Sequence, residues 1–352
     1  MTTVDDSTTV AKRYELIFRS QCDILGDDDE ALVQLLNSGK EISVLWGTAT
    51  TGKPHVAYFV LATKIADLLR AGCRVVVLFA DLHAFLDEAE LEWEERLTYR
   101  LKYYETVIRT LLQQFDAPQQ KLEFVHGRDY QLTDSYVTDF YKLSKSVTQR
   151  DAKKAGSEVV KKNASPTLAG LLYPCLQALD EKHLSVDCHL GGVDQRKAFT
   201  FAEKYLPKIG CRKKIHLMTP MVQGLTGDKM SSSAEMTKVN LLDDRATVFK
   251  RIDKAYCAPG NVDRNGVLGI AEHIIFPNLQ DGRFIVEKSC GDCVTFVDFP
   301  SLQSAFKNRD LHPKDLKTAV SVELDRLLDP IRKQLDTPKM QNLAHGAYST
   351  LV

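Results

Sequence analysis

Two hydrophobic patterns alternate along the first two thirds of the chain. The run Ile42-Ser43-Val44-Leu45-Trp46 is apolar almost throughout and ends in Gly47, and Arg74-Val75-Val76-Val77-Leu78-Phe79-Ala80 is β-branched and continuous. Short unbroken apolar runs of this kind mark strands covered on both faces. Between them lies the polar loop Thr48-Ala49-Thr50-Thr51-Gly52-Lys53-Pro54, followed by apolar residues at helical spacing over 55–69. Strand, loop, helix, strand is the βαβ unit of a doubly wound sheet.

The same reading extends in both directions. A short helix is expected near 27–36. Leu97, Leu101, Tyr104, Val107 and Leu111 predict a long amphipathic helix over about 91–115. A strand follows at 122–126, then a helical stretch over 130–162 and a helix at 167–179. A strand or turn near 186–190, a helix at 195–205 and a final strand at 216–218 complete this part. After about residue 245 the spacing of Leu316, Val320, Leu324, Leu327 and Leu328 is helical. The expected fold is α/β. A flexible tail (1–12) precedes a Rossmann-like doubly wound parallel sheet (13–245) with a helical insertion at about 120–165. A mainly α-helical domain (246–352) follows.

Composition narrows the partners. The 352 residues suit two domains, and 44% hydrophobic content sustains real cores. The net charge is −1, and from Lys250 onward 14 Lys and Arg face 13 Asp and Glu. Any RNA contact therefore needs a local basic patch. Arg150, Lys153 and Lys154 form the candidate, although a solvated helix face has the same make-up. No apolar stretch reaches the roughly 18 residues of a membrane helix. Residues 1–10 are polar and acidic, unlike a secretory signal or transit peptide. Eight cysteines are scattered, and Cys290-x-x-Cys293 lacks the second pair of a zinc site. Reduced thiols in the cytosol fit this usage, and no metal site is expected.

Four segments carry candidate chemistry. Gly224-Leu225-Thr226-Gly227-Asp228-Lys229-Met230-Ser231-Ser232-Ser233 offers an ammonium and hydroxyls suited to a polyphosphate, although taken alone such a loop is more often a surface turn. The loop from Thr48 places His55 where a strand gives way to a helix N-terminus, the nucleotide position of open α/β sheets. It is not a P-loop, since GxxxxGK[ST] is absent. Tyr173, Gln177 and Asp180 stand at i, i+4 and i+7 and share one helical face. That face suits a small zwitterion with a polar tip, or a buried hydrogen-bond network. Gly191-Gly192-Val193-Asp194-Gln195 permits close backbone approach to a ligand, with Asp194 able to accept from ribose hydroxyls.

Together these segments resemble class I aminoacyl-tRNA synthetases, and within them the cytoplasmic tyrosyl-tRNA synthetases of eukaryotic and archaeal type. The stretches TATTGKPHVAYF (48–59), FADLHAFLD (79–87), QRDAKKAG (149–156), GLLYPCLQALDE (170–181), GGVDQRK (191–197) and GDKMSSS (227–233) carry the likeness. HPKDLK (312–317) and LDPIRK (328–333) extend it through the second half. The resemblance implies that His55 stands for the first histidine of HIGH, and Lys229 with Ser231, Ser232 and Ser233 for KMSKS. Tyr173, Gln177 and Gln195 would hold the body and amino group of tyrosine, and Asp180 its hydroxyl. Gly47, Thr48, Gly52, His55, Gly191, Gly192, Asp194, Lys229 and Met230 would take ATP. Arg150, Lys153 and Lys154 would meet the tRNA acceptor end.

The departures are specific. HIGH reads His55-Val56-Ala57-Tyr58, and Ser232 replaces the second lysine of KMSKS. Leu45 stands where the family has a tyrosine that shares the substrate hydroxyl, and Ser289 falls near an anticodon-stacking aromatic. The C-terminal domain that some animal members append is not expected. The implied activity is tyrosine–tRNA ligation in the cytoplasm, with L-tyrosine, ATP carrying Mg²⁺, and tyrosine tRNA as substrates. The implied assembly is a homodimer joined near 120–165, with no membrane attachment. Tryptophan–tRNA ligation, or a silent relative that only binds RNA or protein, are the alternatives.

Overall fold

Six strands build the main sheet: β1 (Asp23–Ile24), β2 (Ser43–Ala49), β3 (Arg74–Ala80), β4 (Leu122–His126), β5 (Cys188–Gly192) and β6 (Ile215–Thr219). The computed structural model describes residues 9–348 apart from 21, 27, 89–90, 161–166, 227–229 and 231–236. The strand order is β1-β6-β5-β2-β3-β4, parallel except for the β1–β6 pair. The chain winds outward from β2 in one direction through β3 and β4, and in the other through β5 and β6. The switch between β2 and β5 opens a crevice at their carboxyl ends. The valine-rich β3 sits between two partners and is buried on both faces, as its unbroken apolar run requires.

Helices α1 (Val10–Phe18) and α2 (Asp28–Asn37) lead into the sheet. The Thr9 hydroxyl caps α1, so Val10 to Lys12, read as tail, are helical. β2 runs two residues past Gly47, because Thr48 and Ala49 still pair with Phe79 and Ala80. α3 (Tyr58–Arg70) starts three residues later than the apolar spacing implied. Residues 55–57 are held elsewhere: His55 bridges Asn240, and Val56 N–H donates to the Val239 carbonyl. α4 (Asp81–Asp87) and α5 (Glu95–Gln113) join β3 to β4.

The stretch 130–162 is not one helical run. It holds α6 (Arg128–Gln131), α7 (Asp134–Ser144) and α8 (Gln149–Gly156), the last begun by Thr148, whose hydroxyl accepts from Asp151 N–H. α9 (Ala169–His183) feeds β5, and α10 (Arg196–Tyr205) feeds β6. Beyond lie α11 (Arg245–Asp253), α12 (Gly266–Ile270), α13 (Phe299–Lys307), α14 (Pro313–Leu335) and α15 (Pro338–Tyr348). β6 is not the last strand. β7 (Phe284–Glu287) and β8 (Cys293–Phe296) form an antiparallel hairpin, with Phe284 and Val286 buried and Ile285 and Glu287 outward. Cys290 and Cys293 sit exposed at this hairpin, and all eight cysteines are free.

One hydrophobic cluster joins Val44 and Trp46 of β2, Ile65 of α3, Val107 of α5, Leu324 and Leu328 of α14 and Leu343 of α15. No helix among the described residues is long and apolar enough to cross a membrane.

Candidate active site

A cleft of about 790 Å³ opens over the β2–β5 switch. It is lined by Leu45, Gly47, Thr48, His55, Tyr173, Gln177, Asp180, Gly191, Gly192, Asp194, Gln195 and Met230. Four segments spread over 186 positions of chain (45 to 230) are thus brought to one place. Gly52 lies just outside the lining, its carbonyl held by the Tyr104 and Tyr348 hydroxyls. Lys229, Ser231, Ser232 and Ser233 fall outside the described residues. The arm that follows them is tied to the His55 segment, since Leu241 N–H donates to the Pro54 carbonyl beside the His55–Asn240 bridge.

The α9 face is built as its spacing implied. Gln177 Nε2 donates to Gln195 Oε1 at 2.9 Å, fixing both amides at the cleft wall. The Tyr173 phenol is pushed to higher pKa by burial first and by the Asp87 charge second, so it stays a neutral donor. Gly191 admits no side chain: an added Cβ would lie 2.8 Å from both Gln195 Cγ and Phe199 Cζ.

Asp180 closes the inner end at 2% exposure. Its Oδ1 accepts from the Tyr130 hydroxyl at 2.7 Å, Gln131 Nε2 at 2.7 Å and the Tyr136 hydroxyl at 2.9 Å. Burial pushes the carboxyl up to about 7, against the pull of these three donors. Tyr130, Gln131 and Tyr136 arrive from α6 and α7, outside the helical face that the spacing of Tyr173, Gln177 and Asp180 predicts. His83 of α4 was also missed as a site residue. It lies edge-on to Tyr173 with ring centroids 4.7 Å apart, and its Nε2 is 3.8 Å from Asp180 Oδ2. Burial, and then His189, lower its pKa to about 3, so the ring is neutral. Leu45 is fully buried against Val76, Leu78, Ala80 and Val186 and gives its wall no polar group.

Behind the cleft, Glu181 Oε1 bonds His189 Nδ1 and His216 Nε2, each at 2.9 Å. Burial alone would raise this carboxyl; the two imidazole bonds outweigh it and hold it at about 2. Asp28, Glu203 and His216 could together hold a cation, but none of them lines the cleft. Arg150, Lys153 and Lys154 are exposed on α8 and do not line the cleft either. The residues that follow α8, Ser157 to Val160, do.

The family model for class I tRNA synthetases (W and Y) matches residues 37–329. A cytoplasmic tyrosine–tRNA ligase of Gallus gallus is 51% identical over 96% of this chain and 63% of its own length. This chain thus spans less than two thirds of that relative. A probable cytoplasmic tyrosine–tRNA ligase of Encephalitozoon cuniculi is 41% identical over 97% of this chain and all of its own. Among solved structures, a tyrosyl-tRNA synthetase complexed with L-tyrosine from Archaeoglobus fulgidus superposes with a TM-score of 0.83. It is 34% identical, over 93% of this chain and 99% of that one. Sheet order, cleft position and these likenesses agree: the chain belongs to the class I tRNA synthetases of the tryptophan and tyrosine group.

Proposed function

We propose that the chain is a tyrosine–tRNA ligase, activating L-tyrosine with ATP and passing it to the 3′ end of tyrosine tRNA. The observation that carries this reading is the polarity of the cleft along α9. Seven residues of helix rise about 10 Å, which suits an aromatic amino acid bonded at both ends. Asp180 meets the tip, while Tyr173, Gln177 and Gln195 meet the ammonium end.

In the first step the tyrosine carboxylate attacks the α-phosphorus of ATP, giving tyrosyl-adenylate and releasing pyrophosphate. In the second, a terminal ribose hydroxyl of the tRNA attacks the adenylate carbonyl and AMP leaves. Neither step needs a protein nucleophile; positioning and electrostatic stabilisation supply the rate. His55 and Lys229 are assigned to the phosphates, Ser231, Ser232 and Ser233 to the loop that closes over pyrophosphate, and Gly191, Gly192 and Asp194 to adenosine. Mg²⁺ would travel with ATP on its phosphate oxygens.

The segment that follows α8, Ser157 to Val160, lines the cleft, which supports Arg150, Lys153 and Lys154 as acceptor-end contacts. The region from about 246 is assigned to the anticodon stem. There Ser289 donates to Asp315 instead of offering an aromatic ring. The Gallus and Encephalitozoon relatives bear the word cytoplasmic in their names, and the same compartment is proposed. So is a homodimer through the insertion, where Leu132 and Tyr141 are exposed.

Amino-acid-dependent exchange of pyrophosphate into ATP tests the reading. Exchange is expected with tyrosine, and not with tryptophan or phenylalanine. Exchange driven by tryptophan, or by no amino acid, would sink it.

A further inference from the structure

Two polar atoms face each other at the inner end of the cleft with no hydrogen bond between them. Asp180 Oδ1 is saturated by three donors, whereas Oδ2 receives none among the described residues. His83 Nε2 faces Oδ2 at 3.8 Å. Both ring nitrogens of His83 are buried with no hydrogen-bond partner among the described residues, in a residue that is 2% exposed overall. A buried donor left without an acceptor costs stability comparable to a lost hydrogen bond, so a site that keeps one is expected to use it. The wall formed by Leu45 offers no alternative donor. His83 also cannot form a tight ion pair with Asp180, because burial keeps the ring neutral.

A hydroxyl oxygen placed about 2.8 Å from each atom satisfies both at once. We propose that His83 is a specificity-determining residue for the substrate's phenolic hydroxyl. Its Nε2–H donates to the phenol oxygen while that hydroxyl donates to Asp180 Oδ2. This rests on the tyrosine reading above and deepens it. Phenylalanine would leave a donor and an acceptor bare together, the condition under which such sites discriminate most strongly.

The test is pyrophosphate exchange by the full chain and two variants, His83→Leu and His83→Gln, with tyrosine, phenylalanine and 4-aminophenylalanine. The amino group of the last donates to Asp180 but accepts poorly. His83→Leu is expected to lower kcat/KM for tyrosine about 10- to 100-fold, mainly through KM, while phenylalanine changes by less than about threefold. 4-Aminophenylalanine should lose less than tyrosine. His83→Gln, which retains an N–H donor, should recover part of the tyrosine preference. Equal losses for tyrosine and phenylalanine would make His83 a packing residue and overturn the inference, as would no loss for tyrosine. A parent protein that exchanges with tyrosine while the variants keep its selectivity overturns only the role of His83. A parent that does not respond to tyrosine overturns the functional reading as well.

Discussion

Asp180 and Glu181 are adjacent, both buried, and driven apart in ionisation. Glu181 is clasped by two imidazoles and held at about 2, whereas Asp180 meets only neutral donors and rises to about 7. The Asp180 carboxylate accepts more strongly when ionised. The tyrosine-over-phenylalanine ratio in exchange should therefore weaken as pH falls from 8 to 6, and Asp180→Asn should flatten that dependence. A profile unchanged by Asp180→Asn would dismiss the carboxylate as the cause. The linkage sign is opposite for stability. A folded-state pKa above the unfolded value means the folded chain binds the extra proton between the two, so stability declines as pH rises from about 4 to 7. Asp180→Asn should accordingly melt higher than the parent at pH 8, in a thermal scan, while losing selectivity. At this scale the sequence was legible wherever one helix carries the site. The 3.6-residue period alone puts Tyr173, Gln177 and Asp180 on one face. Tyr130, Gln131 and Tyr136 reach Asp180 from 44 to 50 positions away, and no local period announces that meeting. His83 stood in a quoted stretch, but its orphaned nitrogens are a property of the packed interior.

The loop after β2 is held by elements distant from it in sequence. Arg100 of α5 donates to the Thr50 and Thr51 carbonyls and, at 2.6 Å, to the Ala347 carbonyl of α15. Its guanidinium lies 4.3 Å from the Tyr348 ring centroid and 3.2 Å from Glu88. With the Tyr104 and Tyr348 hydroxyls on Gly52, the last helix thus fastens the loop assigned to ATP. Hydrogen bonds from a charged donor contribute about 1.5–3 kcal/mol each. Arg100→Met should raise KM for ATP at least about tenfold on that scale, leaving KM for tyrosine nearly unchanged in exchange kinetics. A matching rise in both would indicate general loosening instead. Elements were legible in proportion to their length and burial. The runs at 74–80 and 122–126 match β3 and β4 residue for residue; for β3 the reason is that a buried, apolar β-branched strand reads the same with or without its neighbours. β7 and β8 have four residues each, too few for alternation to stand out. The breaks within 130–162 fall at Thr133, whose hydroxyl turns back to the Tyr130 carbonyl, and at Thr148, whose hydroxyl caps α8; neither bond leaves a mark in the hydrophobic pattern.

At the scale of the whole molecule, α7 is apolar on two sides. Tyr136 and Leu143 point into the core, while Val137 and Tyr141, one turn apart, point outward, with Tyr141 70% exposed and Leu132 nearby at 55%. A charge count cannot detect such a surface; a net of −1 leaves it invisible, and only the orientation of the insertion reveals it. Grouped exposed apolar side chains of this size mark interaction surfaces, and a twofold contact places the same patch on both partners. The chain is expected to sediment as a dimer at micromolar concentration, and Leu132→Asp with Tyr141→Asp to shift it towards monomer. A parent that sediments as a monomer would rule out this interface. The same helix presents Tyr136 to Asp180, so separation of the subunits should reach the inner end of the cleft. The monomeric variant should keep a cooperative thermal transition yet lose tyrosine-over-phenylalanine selectivity in exchange. Retained selectivity in a proven monomer would show that α7 holds Tyr136 in place without its partner.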